Sequence, residues 1–109
     1  MMENLENTIF QIILYGGNGR SAAMEAIMAA KAGNFDEAKN KLDEAAQSLS
    51  EAHKLQTSLI QAETRGENAP VSLLMVHAQD HLMNAMTLKD IAVEFIDMYK
   101  VLKMQSIQS

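Results

Sequence analysis

The sequence predicts an all-α fold, an antiparallel up-down-up three-helix bundle, on three observations. Helix-breaking residues fall in only two places, Gly33-Asn34 and Gly66-Glu67-Asn68-Ala69-Pro70. Between them, apolar residues recur by threes and fours without a slip. Ala, Leu, Glu, Lys, Gln and Met dominate, and strand-like alternation is missing. Short turns between long helices make neighbours antiparallel.

The first helix is expected over about residues 4–32, with its seam at Leu5, Ile9, Ile12, Gly16, Gly19, Ala23, Ala26 and Ala30. By composition, Tyr15-Gly16-Gly17-Asn18-Gly19 reads as a loop, yet the seam keeps its phase across it, so this stretch is assigned to the helix. Each interior Gly costs about 1 kcal/mol relative to Ala. Such a cluster implies either close approach of another backbone or a shallow cleft for a partner or ligand. Gly33 suits the left-handed residue that ends the first helix, and Asn34 with Asp36 and Glu37 reads as an N-cap with an acidic first turn. The second helix then covers about 34–65, with its seam at Phe35, Ala38, Leu42, Ala45, Leu49, Ala52, Gln56 and Leu59. Gly66 closes it, and Pro70 can sit only near the start of the third helix, about 70–104. The third seam runs Val71, Leu74, Ala78, His81, Ala85, Leu88, Ala92, Phe95, Tyr99 and Leu102.

At 109 residues the chain makes one domain, 1–109. Without Cys it has no disulfide scaffold, no Cys-ligated metal and no thiol nucleophile. A formal charge of −5 with no basic run argues against a nucleic-acid binder. No run of apolar residues is long enough to span a bilayer, and the N-terminus lacks the flanks of a signal peptide. The expected location is the cytoplasm.

The third helix carries more apolar surface than one seam needs. Leu73, Val76, Asp80, Met83 and Thr87 form a second, outer stripe that a three-helix monomer leaves uncovered, which predicts self-association. In a closed ring, copies of Asp80 converge on the axis. Close carboxylates repel unless protonated or bridged by a cation, and a hard divalent ion such as magnesium or calcium suits them.

The one dense cluster of reactive side chains is Val76-His77-Ala78-Gln79-Asp80-His81-Leu82-Met83. His81 falls on the seam and reads as structural, hydrogen-bonding in the core or orienting His77. His77 flanks the seam, between it and the outer stripe, and neutral imidazole is a good phosphoryl acceptor near pH 7. His53, on a flank of the second helix, also reads as structural. Shared zinc on His77, Asp80 and His81 is a weaker alternative, lacking a third strong ligand group and the HExxH pattern. No Gly-rich loop follows a strand to cradle a nucleotide, so any phosphoryl group has to come from another protein.

The segment Ser72-Leu73-Leu74-Met75-Val76-His77-Ala78-Gln79-Asp80-His81-Leu82-Met83 resembles the lactose/cellobiose-type enzyme IIA of the bacterial sugar phosphotransferase system. Gly19-Arg20-Ser21 with Met24-Glu25-Ala26, Gly33-Asn34-Phe35, Glu51-Ala52-His53-Lys54-Leu55-Gln56-Thr57 and the stretch from Thr87 to Tyr99 extend the likeness over roughly residues 4 to 100. The resemblance implies a homotrimer of three-helix bundles, a nine-helix coiled-coil-like assembly. It implies that His77 becomes a tele-phosphohistidine, charged by phospho-HPr and discharged to a cysteine of enzyme IIB. The membrane enzyme IIC is then an indirect partner, and the sugar a β-linked disaccharide such as lactose, cellobiose or chitobiose. It further implies one divalent cation per trimer, Mg2+ by expectation, held by Asp80 of each subunit. Gln79 and His81 become candidates for orienting the ring or contacting the phosphoryl oxygens. The departure is Tyr15-Gly16-Gly17-Asn18, where the family favours a His-Ala-Gly-Glu type of run.

Three rivals have distinct signatures. A two-component phosphotransfer domain would carry His-x-x-Lys-Gly, which His77-Ala78-Gln79-Asp80 does not supply. A helical scaffold would survive loss of His77, and a metal-dependent helical enzyme would be inactivated by chelators.

Overall fold

The computed structural model describes residues 2–108, with side chains from 4 to 106. Three helices, α1 (Met2–Lys31), α2 (Phe35–Thr64) and α3 (Leu73–Gln108), form a rod 61 Å long and about 20 Å across. The described residues contain no strand.

Both turns follow from their punctuation. Gly33 takes φ 86°, its N–H bonds to the Ala30 carbonyl, and the Asn34 N–H bonds to the Ala29 carbonyl. These two bonds satisfy carbonyls that the helix end leaves free. Gly66 repeats the pattern at φ 85°, with Gly66 N–H on Glu63 and Glu67 N–H on Ala62. Asn34 caps α2: its side-chain oxygen accepts from the Glu37 N–H, and its amide donates to the Glu37 carboxylate at 3.0 Å.

The seams of α1 and α2 lie where the periodicity puts them. Ile12, Ala23, Ala26, Ala38, Ala45 and Ala52 are all fully buried. α3 departs at its ends and along its seam. It begins at Leu73, not near 70, because Ser72 caps it, its hydroxyl accepting from the Met75 N–H at 3.1 Å. Val71 therefore lies outside the helix, 88% exposed. Phe95 and Leu102 are exposed as well, while Leu82 and Ile96 are buried. The reason is that α3 packs into the groove between two helices. The Ala78–Ala85–Ala92 line faces that groove, and both of its sides are covered. His81 and Leu88 fall toward α1, so Leu82 on the other side is enclosed too. Leu102 lies near the level where Gly33 turns the chain away, beside Lys103, and little remains there to cover it.

Small residues set the helix spacing. Ala22, Ala23, Ala45 and Ala92 form one core layer, and Ala26, Ala30, Ala38 and Ile96 form the next. Larger side chains fill the layer that carries the site: Ile9, Ile12, Leu49 and Leu82. No helix among the described residues is long and apolar enough to cross a membrane.

Candidate functional site

The glycine cluster of α1 stays helical, and its missing side chains are explained by what lies opposite. A Cβ on Gly16 would stand 3.2 Å from His81 Cδ2, and one on Gly17 would stand 3.4 Å from His81 Nε2. A Cβ on Gly19 would stand 2.5 Å from Cγ and Cδ2 of Leu49. Of the two readings open in the sequence, close approach holds, although side chains make it more than backbone does. Gly16 and Gly17 form a flat bed for the half-buried imidazole of His81.

His77, one turn earlier on α3, stacks on that imidazole. The ring centroids are 5.8 Å apart and the planes differ by 18°. His77 itself is exposed. The outcome is one imidazole fixed against α1 and a second laid over it, open to an incoming molecule. Below the pair, Arg20, His81, Asn84, Thr87, Leu88 and Ile91 line an open groove between α1 and α3.

Gln79 turns the other way. Its side-chain carbonyl accepts a hydrogen bond from the Gln56 amide of α2, and its own amide nitrogen lies 3.7 Å from the Met75 sulfur. The Gln56 nitrogen also sits 3.8 Å from the Met83 sulfur. Successive helical residues advance by about 100°, so His77 and Gln79 stand about 160° apart around the outside of α3. The structure therefore pairs His81 with His77 in one chain but does not bring Gln79 to them. Among the described residues Gln56 is the buried polar one, and the sequence signal for it was a polar residue on an otherwise apolar seam.

Asp80 lies between the two flanks on the outer stripe, exposed, and accepts from the Asn84 amide at 3.4 Å. Leu73, Val76 and Met83 along that stripe are half or more exposed. Among the described residues no three His, Asp or Glu side chains of one chain gather to hold a metal, so the shared-zinc arrangement of His77, Asp80 and His81 does not form. One chain offers a cation a single stripe carboxylate, and a complete oxygen site there needs further copies of Asp80. His53 is exposed on α2, where with Leu49, Met86, Lys89 and Asp90 it borders a cavity on the α2–α3 side.

The family model described as PTS system, Lactose/Cellobiose specific IIA subunit matches residues 7–100. The chain belongs to that family. Its sequence is 63% identical over 100 residues to the lichenan-specific phosphotransferase enzyme IIA component of Bacillus subtilis, covering 92% of this chain and 91% of that one. Its fold matches the crystal structure of the cellobiose-specific enzyme IIA from Bacillus anthracis with a TM-score of 0.91 at 52% identity, over 95% of both chains. A third likeness is to the solution structure of a IIA(Chitobiose)–HPr complex, with a TM-score of 0.80 at 37% identity, over 91% of this chain and 96% of that one. This enzyme IIA is thus a phosphotransferase-system protein.

Proposed function

We propose that His77 is the phosphocarrier of this enzyme IIA, taking a phosphoryl group from phospho-HPr and delivering it to a cysteine of the cognate enzyme IIB. The observation that carries the reading is the histidine pair, with an exposed imidazole stacked on one that α1 immobilises. The HPr complex of the chitobiose relative supports HPr as the donor. In the first step a ring-nitrogen lone pair of His77, the tele nitrogen in our reading, attacks phosphorus in line. The N–P bond forms as the donor's bond to phosphorus breaks, and that electron pair leaves with HPr. In the second step a IIB thiolate forms the S–P bond, the N–P bond breaks, and its electron pair returns to the imidazole. Little covalent chemistry falls to the protein, whose contribution is orientation and the exclusion of water that would hydrolyse the phosphohistidine. The cargo of the cognate IIC is a β-linked disaccharide of the lactose, cellobiose or chitobiose type, sugars for which several of the relatives are named.

The deciding experiment incubates the chain with phosphoenolpyruvate, enzyme I and HPr and reads intact mass. The expected result is one acid-labile phosphoryl group per chain, dependent on HPr and absent from His77→Ala. A folded chain that gains none returns the choice to a scaffold.

The assembly in this proposal is a homotrimer closed through the outer stripe of α3, because Leu73, Val76 and Met83 are uncovered in one chain and flank a carboxylate. The three Asp80 carboxylates would hold one divalent cation on the axis, supplying charge balance between subunits. Apolar packing often replaces a buried ion cluster without loss. Asp80→Leu is therefore expected to remain trimeric by light scattering while losing cation binding by calorimetry, and dissociation into monomers would refute closure of the ring by apolar packing of the stripe.

A further inference from the structure

The end of the rod farthest from the histidine pair carries a basic cluster that the proposed chemistry does not use. The line of α3 that faces the groove runs through Ala78, Ala85, Ala92 and Ile96, all buried, and continues as Lys100 and Lys103, both exposed. The change comes where Gly33 turns the chain and the core ends. There both ammonium groups lie over one ring, 5.9 Å and 5.3 Å from the Phe35 centroid. Phe35 and Lys103 line an open hollow together with Lys31, Gly33, Tyr99 and Leu102.

These cations have no counter-charge of their own. Ion pairs among the described residues use Lys39, Lys41, Lys54, Arg65 and Lys89, and none uses Lys31, Lys100 or Lys103. The acids nearest in sequence stand on the bundle side. Asp97 precedes Lys100 on α3, and α2 runs back toward the site from Phe35, taking Asp36 and Glu37 with it. From Met98 onward the sequence has no acidic side chain, although the whole chain has a net charge of −5. Val101, Leu102 and Met104 in that stretch are each more than half exposed.

Lysines beside uncovered apolar side chains suit the headgroup layer of an anionic bilayer. The ammonium groups meet lipid phosphates while apolar side chains enter the headgroup boundary. A threefold ring aligns its copies in parallel, so three such ends share one face, and a plane reaches all of them at once. No helix among the described residues is long and apolar enough to cross a membrane, so the contact is peripheral. We infer that the α1–α2 turn end, through Lys31, Lys100 and Lys103, docks the assembly upright on the anionic headgroups of a phospholipid membrane.

The inference rests on the ring proposed above for its multiplicity. Near an anionic surface one lysine raises partitioning about fivefold, so three give about a hundredfold and nine far more. Acids farther up the rod are screened beyond about 8 Å at physiological ionic strength. At 1.5 Å per residue, His77 stands about 40 Å along α3 from Lys103, clear of the headgroups and open to protein partners.

Vesicle co-sedimentation tests it, with phosphatidylcholine vesicles made with and without phosphatidylglycerol. Wild type should pellet with the anionic vesicles alone and be released at about 1 M salt, where the Debye length is about 3 Å. The double variant Lys100→Gln/Lys103→Gln should bind at least about twentyfold more weakly, and Lys100→Arg/Lys103→Arg should bind as wild type does. Both variants should accept phosphoryl groups from phospho-HPr in solution at the wild-type rate, which shows that they are folded. Equal binding to both vesicle types, or undiminished binding of the glutamine variant, would overturn the inference. Light scattering on the same samples separates the remaining failures. A monomeric wild type would overturn the ring and this inference with it. A trimer that ignores anionic vesicles would overturn this inference alone and leave the basic end to an acidic protein.

Discussion

α3 meets its two neighbours in different ways. Against α1 it packs closely, because Gly16 and Gly17 present no side chain and the His81 ring lies against them. Against α2 it is reached by long side chains, Gln56 to Gln79 and Met83, beside a cavity lined by Leu49, His53 and Met86. The first contact is rigid and specific in shape. The second is held by a hydrogen bond and soft thioethers, and methionine adapts readily to irregular gaps. His77, the proposed nucleophile, sits on the rigid side. For a group that has to hold an in-line geometry this placement matters, since small misplacements cost large factors in rate.

Glycine substitutions break that comparison most sharply. Gly19→Ala gains about 1 kcal/mol of helix propensity but drives a methyl to 2.5 Å from Leu49, and the Ala45 carbonyl oxygen at 3.4 Å leaves little room to retreat. Overpacking of a buried contact costs about 1–3 kcal/mol, so the variant should melt several degrees below wild type. Gly16→Ala meets only the edge of His81 at 3.2 Å, and that half-buried ring can yield by a few tenths of an ångström. Its stability should stay within about 1 kcal/mol of wild type. Phosphoryl uptake should nevertheless fall, because His81 moves under His77. The two variants are compared by thermal melts and by transfer kinetics. A Gly19→Ala protein more stable than wild type would sink the small-residue account, and unchanged transfer in Gly16→Ala would show that the His81 bed plays no part in the chemistry.

How much of this was legible in the sequence follows from the same contrast. Seam positions in α1 and α2 reduce to spacing, so Ile12, Ala26, Ala45 and Ala52 were readable from periodicity alone. The seam of α3 departs from its expected burial at Phe95 and Leu102, because one line of residues cannot describe a helix lodged between two others. What faces a glycine is a long-range fact: Gly16 signals that something comes close, but only the fold names His81. Gln79 lies apart from His77 within one chain for a local reason. Two residues from His77 is near in sequence, yet it is the opposite flank of a helix. Gln56 stood out on the seam without revealing that it holds Gln79.

The smallest effect concerns the turn end of the α1–α2 contact, where charge does the joining. Lys41 of α2 bridges Glu44, 3.1 Å away on its own helix, and Glu25 of α1, 3.2 Å away. The Glu44 carboxylate first, and then that of Glu25, raise the Lys41 ammonium above the ordinary lysine value. A raised folded-state pKa means that the folded chain holds this proton more tightly than the unfolded chain does. The stabilisation is therefore fully present below about pH 10.4, the unfolded lysine value, and is lost as pH rises through the higher folded value. Lys41→Met should lower the melting temperature slightly at neutral pH. The gap from wild type should narrow above about pH 10.4 and also in high salt, since exposed ion pairs are weak and screened. A gap that persists unchanged in strong alkali would mean that the Lys41 stem contributes by packing across α1, and that even this edge of the α1 contact is steric.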